Sequence, residues 1–291
     1  MLQEKISVRA WVILLLLALT WGSSYVLIKK ALIAFSPTQV ASLRVTISAL
    51  AFIPFFIARW SKIDWSRWRA LAVVGFTGSF FPAFLFSTAQ TEMSSSITGI
   101  LSSLTPLFTL LIGIVVFRMP TKFSKIGGVL IGLAGAIFLV VSNQGTEEIG
   151  NAWYGILIIL ATACYGMSTN VIKQYLQDMS SITISAVAFM IIGIPGMLFL
   201  LSTDVVGTLQ THEYAWQSLG YLTLLALLGT VAASIFFFKL VQITSPIFAS
   251  MVSYLTPIVA VFWGILDGEA VTIFHWLGML LILMGVYIAR K

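Results

Sequence analysis

Polar and aromatic side chains interrupt the long apolar runs of this chain at a few places, and those places are where chemistry is possible. Trp21 and Ser24 lie one helical turn apart, and Tyr165 is followed by Asn170 in a later run. Ser103 and Thr105 come just before Pro106, and Tyr254 and Thr256 just before Pro257. Gln90 closes the third run. Rings of this kind cover the apolar parts of a small organic molecule, while hydroxyl and amide groups orient it. All nine are therefore candidate substrate-binding residues. The same residue types also let helices pack closely in lipid and mark membrane interfaces, so packing stands beside binding as the alternative reading.

Bond-making chemistry is not signalled. There is no G-x-x-x-x-G-K loop to cradle a nucleotide and no H-E-x-x-H pair. The single cysteine, Cys164, excludes an intrachain disulfide and a cysteine-built metal site. No metal, cofactor or catalytic residue is expected. The acids fall near the ends of apolar runs or between them, so no pair of carboxylates is expected at membrane depth. Glu92, Asp267 and Glu269 come closest to the runs and are expected at the outer rim, hydrated and titrating near the reference value of about 4. Facilitated diffusion or exchange of a neutral, zwitterionic or anionic substrate is then favoured over proton coupling.

Pro106 and Pro257 each remove a helical donor and free a carbonyl one turn earlier. With Gly22 and Gly166 they are candidate hinge or gating positions. Arg44 is the one basic residue well inside an apolar run. A structural role is favoured for it over contact with substrate. Lys29 and Lys173 end their runs, where snorkelling and the helix dipole account for them, and attraction of an anionic substrate is the alternative.

These residues need elements to position them, and composition says which. Of the 291 residues, 59% are hydrophobic and 9% charged, against about 25% charged in soluble domains. The mean hydropathy is +1.03. So few charges cannot clothe a water-soluble globule, and the natural partner is a lipid bilayer. The net charge of +6 is spread along the chain, unlike the basic face of a nucleic-acid binder. The first run, behind Lys5 and Arg9, is too long for a cleaved leader and reads as a retained helix.

Ten runs approach the roughly 20 residues that a spanning helix needs. They are Trp11–Ala31, Thr38–Ala58, Trp68–Thr88, Ser94–Phe117, Ser124–Val141, Trp153–Lys173, Ile182–Leu201, Ser218–Lys239, Pro246–Leu266 and Ile273–Ala289. With both termini in the cytoplasm, 13 of the 16 basic residues fall inside, and Lys29, Lys30 and Arg44 are the exceptions. Positive charge stays inside, so the spacing predicts an all-α protein of ten spans, N-in and C-in, in the inner (plasma) membrane.

The chain also resembles itself. Leu104-Thr105-Pro106 recurs as Leu255-Thr256-Pro257, and the same register sets Gly78 on Gly229 and Gly127 on Gly278. Trp21-Gly22-Ser23-Ser24 lines up with Tyr165-Gly166-Met167-Ser168, and Lys29 with Lys173. Five spans per half is odd, so residues 143–291 would repeat residues 1–142 upside down. Arg118 and its partner position Glu269 carry opposite charge, as opposite sides of a membrane would ask. Inverted repeats around a midplane site are a plan of secondary transporters.

On the Trp21–Ser24 run, Arg44, the doubled Leu-Thr-Pro and Gly268-Glu269 followed by Gly278 and Gly285, the chain resembles an EamA-type member of the drug/metabolite transporter superfamily. Arg118 departs from the usual Glu of the first repeat. The resemblance implies ten helices in two inverted fives and export or exchange of small metabolites. It also implies a central cavity lined by the first, third, fourth, sixth, eighth and ninth spans. Amino acids or amphipathic aromatic compounds suit the residues above, moved by alternating access. A channel and an intramembrane enzyme are the competing readings.

Overall fold

The computed structural model describes residues 7–119, 123–142, 151 and 153–290, and all regular structure among them is helical. Serines set several helix starts. Ser7, Ser36, Ser94, Ser180 and Ser245 are extended, and each Oγ accepts from the amide three residues on. This satisfies one of the amides that a helix start leaves without a partner. At Ser36 the cap is reciprocal, since Gln39 Oε1 accepts from the Ser36 amide at 2.9 Å.

The helices are α1 (Val8–Ala31), α2 (Pro37–Arg59), α3 (Trp65–Ala89), α4 (Ser95–Val115), α5 (Phe123–Ser142), α6 (Tyr154–Tyr175), α7 (Ser181–Leu201), α8 (Ala215–Ile243), α9 (Pro246–Leu266) and α10 (Ile273–Arg290). A short helix, Val205–Thr211, precedes α8. Eight of the ten are long and apolar enough to cross a membrane. In α5 and α10 the qualifying stretches are shorter, Leu130–Leu139 and Ile273–Gly285.

The surface is inverted relative to a soluble protein. Leu15, Leu16 and Leu19 of α1, and Ile258 and Phe262 of α9, are exposed, whereas Ser42, Ser48, Thr98 and Ser103 are fully buried. Lipid rewards apolar groups outside and sends hydroxyls to the interior. Without a hydrophobic drive between helices, association rests on close approach at small residues. In the pairing of α2 with α7, Gly193 faces Ala49, Gly196 faces Val45, and Phe52 stacks on Phe189 at 5.0 Å. In the pairing of α5 with α10, a Cβ on Gly285 would stand 2.2 Å from the Gly132 amide nitrogen.

These two pairings cross between the first and second halves of the chain, and so do those that surround the interior. α1 packs on α8 and α9, and α6 packs on α3 and α4. Gly22 and Gly166, expected as hinge or gating positions, stand at these crossings. A Cβ on Gly22 would meet Val259 Cβ at 2.4 Å, and one on Gly166 would meet the Phe108 carbonyl carbon at 2.9 Å.

Candidate substrate cavity

The crossings leave a cavity of about 70 Å³ between α1, α2, α3, α4, α6, α8 and α9. Of the residues singled out in the sequence, Trp21, Ser24, Thr105, Tyr165 and Thr256 line it. Aromatic rings make the apolar wall. Trp21 packs on Phe237 at 5.0 Å, Tyr25 on Phe86 at 5.7 Å and Tyr165 on Phe86 at 6.0 Å. The hydroxyl protons are largely spent within their own helices. Ser24 donates to the Thr20 carbonyl, Ser102 to Gly99, Thr105 to Ser102 and Thr256 to Val252. The oxygen lone pairs are what these groups present to the cavity.

Two local irregularities shape the site. α3 and α8 each widen into a π-helical turn, at Phe76–Phe80 and Leu227–Ala232. Such turns rotate the residues on either side and expose backbone groups. Gly78 and Gly229 sit in these turns, and both line the cavity. The Gly229 carbonyl accepts from Trp21 Nε1 at 3.0 Å, which fixes the indole across the cavity. Thr230 Oγ1 donates to the Leu225 carbonyl five residues back, at 3.2 Å, and accepts from Arg44 Nε at 2.8 Å. Arg44 thus reaches the cavity from α2, a helix the sequence reading left out of the lining. It forms no salt bridge among the described residues.

The prolines act through their missing donors. Pro257 leaves the Ser253 carbonyl without an intrahelical partner, and Ser103 Oγ crosses from α4 to donate to it at 3.0 Å. Pro106 frees the Ser102 carbonyl, which accepts from Thr105 Oγ1 at 2.8 Å. Ser103 is therefore a link between α4 and α9 and does not face the cavity.

Three other candidates also lie away from it. Asn170 Nδ2 donates to the Thr109 and Gly166 carbonyls at 2.9 and 2.8 Å, which ties α6 to α4. Tyr254 packs against the main apolar core. Gln90 is the buried C-cap of α3, and neither amide atom has a partner among the described residues. The sequence reading passed over Tyr25, Phe86, Ser168 and Phe237, all of which line the cavity. Phe86 and Phe237 had a usable signal, because they fall on each other in the register that pairs Gly78 with Gly229.

An ionic cluster closes one end of the bundle. Lys29 Nζ meets Asp267 Oδ2 at 2.7 Å and Glu269 Oε1 at 2.9 Å, and Lys30 pairs with Asp267. Gly268, with φ +82°, terminates α9. The Gly268 and Glu269 amides then bond back to the Ile265 and Gly264 carbonyls at 3.1 and 2.9 Å, a Schellman turn. That turn aims the Glu269 carboxylate at the start of α4. It accepts from the Ser95 amide and Oγ at 3.0 and 2.7 Å, and from the Ser96 amide and Oγ at 3.0 and 2.5 Å.

The expectation of a hydrated rim carboxylate fails here, because the Glu269 side chain is only 4% exposed. Burial alone would raise its pKa, but hydrogen bonds from Ser96, Lys29 and Ser95 outweigh burial and hold it below its ordinary 4.5. Asp267 is likewise held low by Lys29 and Lys30 against the effect of burial. At the other end, Lys173 donates to the Thr244 carbonyl at 2.9 Å, and Gln242 Nε2 to the Leu176 and Met179 carbonyls. Ser245 caps α9 there, and no salt bridge reaches that cap among the described residues.

The comparisons with known proteins agree with this architecture. An uncharacterized transporter of Archaeoglobus fulgidus is 26% identical over 286 residues, 97% of this chain and 99% of that protein. The uncharacterized inner membrane transporter YedA of Escherichia coli K12 is 26% identical over 275 residues, 93% of this chain and 87% of YedA. A Salmonella typhimurium protein named as a probable amino-acid metabolite efflux pump is 26% identical over 94% of this chain and 92% of its own length. A solved crystal structure superposes with a TM-score of 0.65 at 17% identity, covering 96% of both chains, and shares the fold. The EamA-like transporter family matches residues 9–141 and again residues 152–290, and the chain belongs to that family.

Proposed function

We propose that this membrane transporter is a secondary carrier that moves small organic metabolites through the central cavity by alternating access. Residues 1–142 and 143–291 are its two inverted five-helix halves, with both termini in the cytoplasm, in the inner (plasma) membrane. One observation carries this reading. The contacts around the cavity occur twice, with the halves exchanged. Gly78 abuts Ser168 Oγ, and Gly229 abuts Ser24 Oγ. Trp21 packs on Phe237, and Tyr165 packs on Phe86. Gly22 abuts Val259, and Gly166 abuts Phe108. Each pair maps onto the other through two offsets, 144 residues for α1 onto α6 and 151 residues for α3 and α4 onto α8 and α9.

In such a pair, each half can adopt the other's conformation, which turns the site from one face of the membrane to the other. The cavity suits an amino acid or a small amphipathic aromatic compound, with rings for apolar groups and oxygens for polar ones. The efflux-pump relative supports export of an amino-acid metabolite. Among the described residues no carboxylate lines the cavity, so exchange or facilitated diffusion is favoured over proton coupling.

Counterflow tests the carrier. Proteoliposomes are preloaded with unlabelled compound and offered the labelled one, across amino acids and aromatic metabolites. Saturable, transient overshoot for at least one compound is expected. Flux that never saturates, or no overshoot for any compound, sinks the reading and returns the channel.

A further inference from the structure

Arg44 carries a charge that the protein leaves unanswered. A guanidinium offers five N–H donors in a planar fork. One of them, on Nε, meets Thr230 Oγ1 at 2.8 Å. The four on the Nη atoms have no hydrogen-bond or salt-bridge partner among the described residues, and the side chain lines the cavity. The nearest ionisable side chains acting on Arg44 are the Tyr25 and Tyr165 phenols. At the end of the bundle, by contrast, the charges are paired. Lys29 has two carboxylates, and Glu269 has a lysine and two serines. Arg44 is only partly buried, but it stands inside a membrane-spanning helix, where an unpaired charge is costly, so the open fork marks a place kept for a ligand. The fork matches a carboxylate in bidentate fashion.

The rest of the cavity narrows the ligand. Ser24, Ser102, Thr105 and Thr256 have spent their protons on backbone carbonyls and present lone pairs. Lone pairs call for N–H or O–H groups on the ligand. A free volume of about 70 Å³, at roughly 10–15 Å³ per water site, admits only a small molecule.

Resting on the carrier reading above, we propose that Arg44 is the carboxylate-binding residue of the cavity, and that its substrates are small carboxylates bearing a hydrogen-bond donor beside the carboxylate, such as α-amino or α-hydroxy acids. The carboxylate meets the Nη edge of Arg44, and the neighbouring ammonium or hydroxyl meets the serine and threonine oxygens.

The test reads Arg44 directly. The full chain is placed in lipid nanodiscs with 15N-labelled arginine, and the Arg44 Nε–H resonance is assigned by its absence in R44K. Acetate, L-lactate, L-alanine, acetamide and methylammonium are titrated in turn. The three carboxylates are expected to move the Arg44 resonance saturably, and acetamide and methylammonium to leave it in place. Lactate and alanine are expected to saturate at least several-fold below acetate. An Arg44 resonance that ignores all three carboxylates, or that follows acetamide equally, overturns the assignment. Saturation of lactate and alanine no lower than acetate overturns the role given to the hydroxyl oxygens. The decisive titration is of the parent protein, and R44Q supplies a second assignment spectrum should R44K misfold. Because the readout is binding, absence of counterflow with an intact Arg44 response would refute the carrier and not this site.

Discussion

Replacing Glu269 with Gln removes the charge that holds α1, α4 and α9 together at one end of the bundle. The carboxylate takes four hydrogen bonds from Ser95 and Ser96 and one from Lys29. Gln offers a single carbonyl oxygen, so one serine keeps its acceptor while the other faces an NH2 group. Loss of charge-assisted hydrogen bonds costs about 1.5–3 kcal/mol, and loss of an anion at a helix start adds up to ~1 kcal/mol. The Lys29 contribution is discounted, since its side chain is 37% exposed and keeps Asp267 at 2.7 Å.

A net weakening of about 2–3 kcal/mol follows, which is a roughly 30- to 160-fold shift toward the opened end at 1.36 kcal/mol per decade. The reporter is Ser102→Cys in a Cys164→Ala background, because Ser102 lines the cavity and is only 3% exposed. In the proposed topology this end faces outward, so a membrane-impermeant maleimide added outside samples its opening. An E269Q labelling rate within threefold of the parent refutes the reasoning.

The pH dependence has a definite sign. A carboxylate held below its ordinary pKa stabilises the closed end above that ordinary value, and the stabilisation is lost as pH falls through the lowered one. Labelling of the parent, corrected for thiolate fraction, should be flat from pH 8 to pH 5 and rise only below the ordinary 4.5 of Glu269. Gly22→Ala brings a Cβ to 2.4 Å from Val259 Cβ and 2.9 Å from the Thr256 carbonyl oxygen. It should cost about 1–3 kcal/mol in detergent unfolding, whereas Gly220→Ala, with nothing within 4 Å, should not lower the melting point. Ser103→Ala strands the Ser253 carbonyl at about 1–3 kcal/mol; adding Pro257→Ala should recover much of it, because the new amide reaches that carbonyl. A single cysteine at Asp204 should label from outside and one at Lys62 should not, and the reverse pattern would invert the proposed topology.

Hydropathy placed a run on each of the ten long helices described, eight of them long and apolar enough to cross a membrane. A lipid-facing helix writes itself into its apolar run, whereas the short helix Val205–Thr211 left no such mark. The register pairing Gly78 with Gly229 was visible too, and it turned out to join two π-helical turns. The turns themselves were not legible, since nothing in Phe76–Phe80 or Leu227–Ala232 marks one extra residue per turn. Polarity within a run says that a side chain avoids lipid, but not whether it faces a cavity or a neighbouring helix. Asn170 and Ser103 went to neighbours, and Arg44 went to the cavity. Glu269 was misread as hydrated because its partners, Lys29 and Ser95, lie 240 and 174 residues away, beyond any local pattern.

The exchanged contacts at the cavity constrain how this gene can drift. Gly78 is held small by Ser168, and Gly229 by Ser24. A larger residue at either glycine is answered only by a change in the opposite half of the chain. Substitutions should therefore co-vary between 78 and 168, and between 24 and 229, more strongly than between 78 and 229. Under the proposed two-half arrangement, neither half can change at these positions alone.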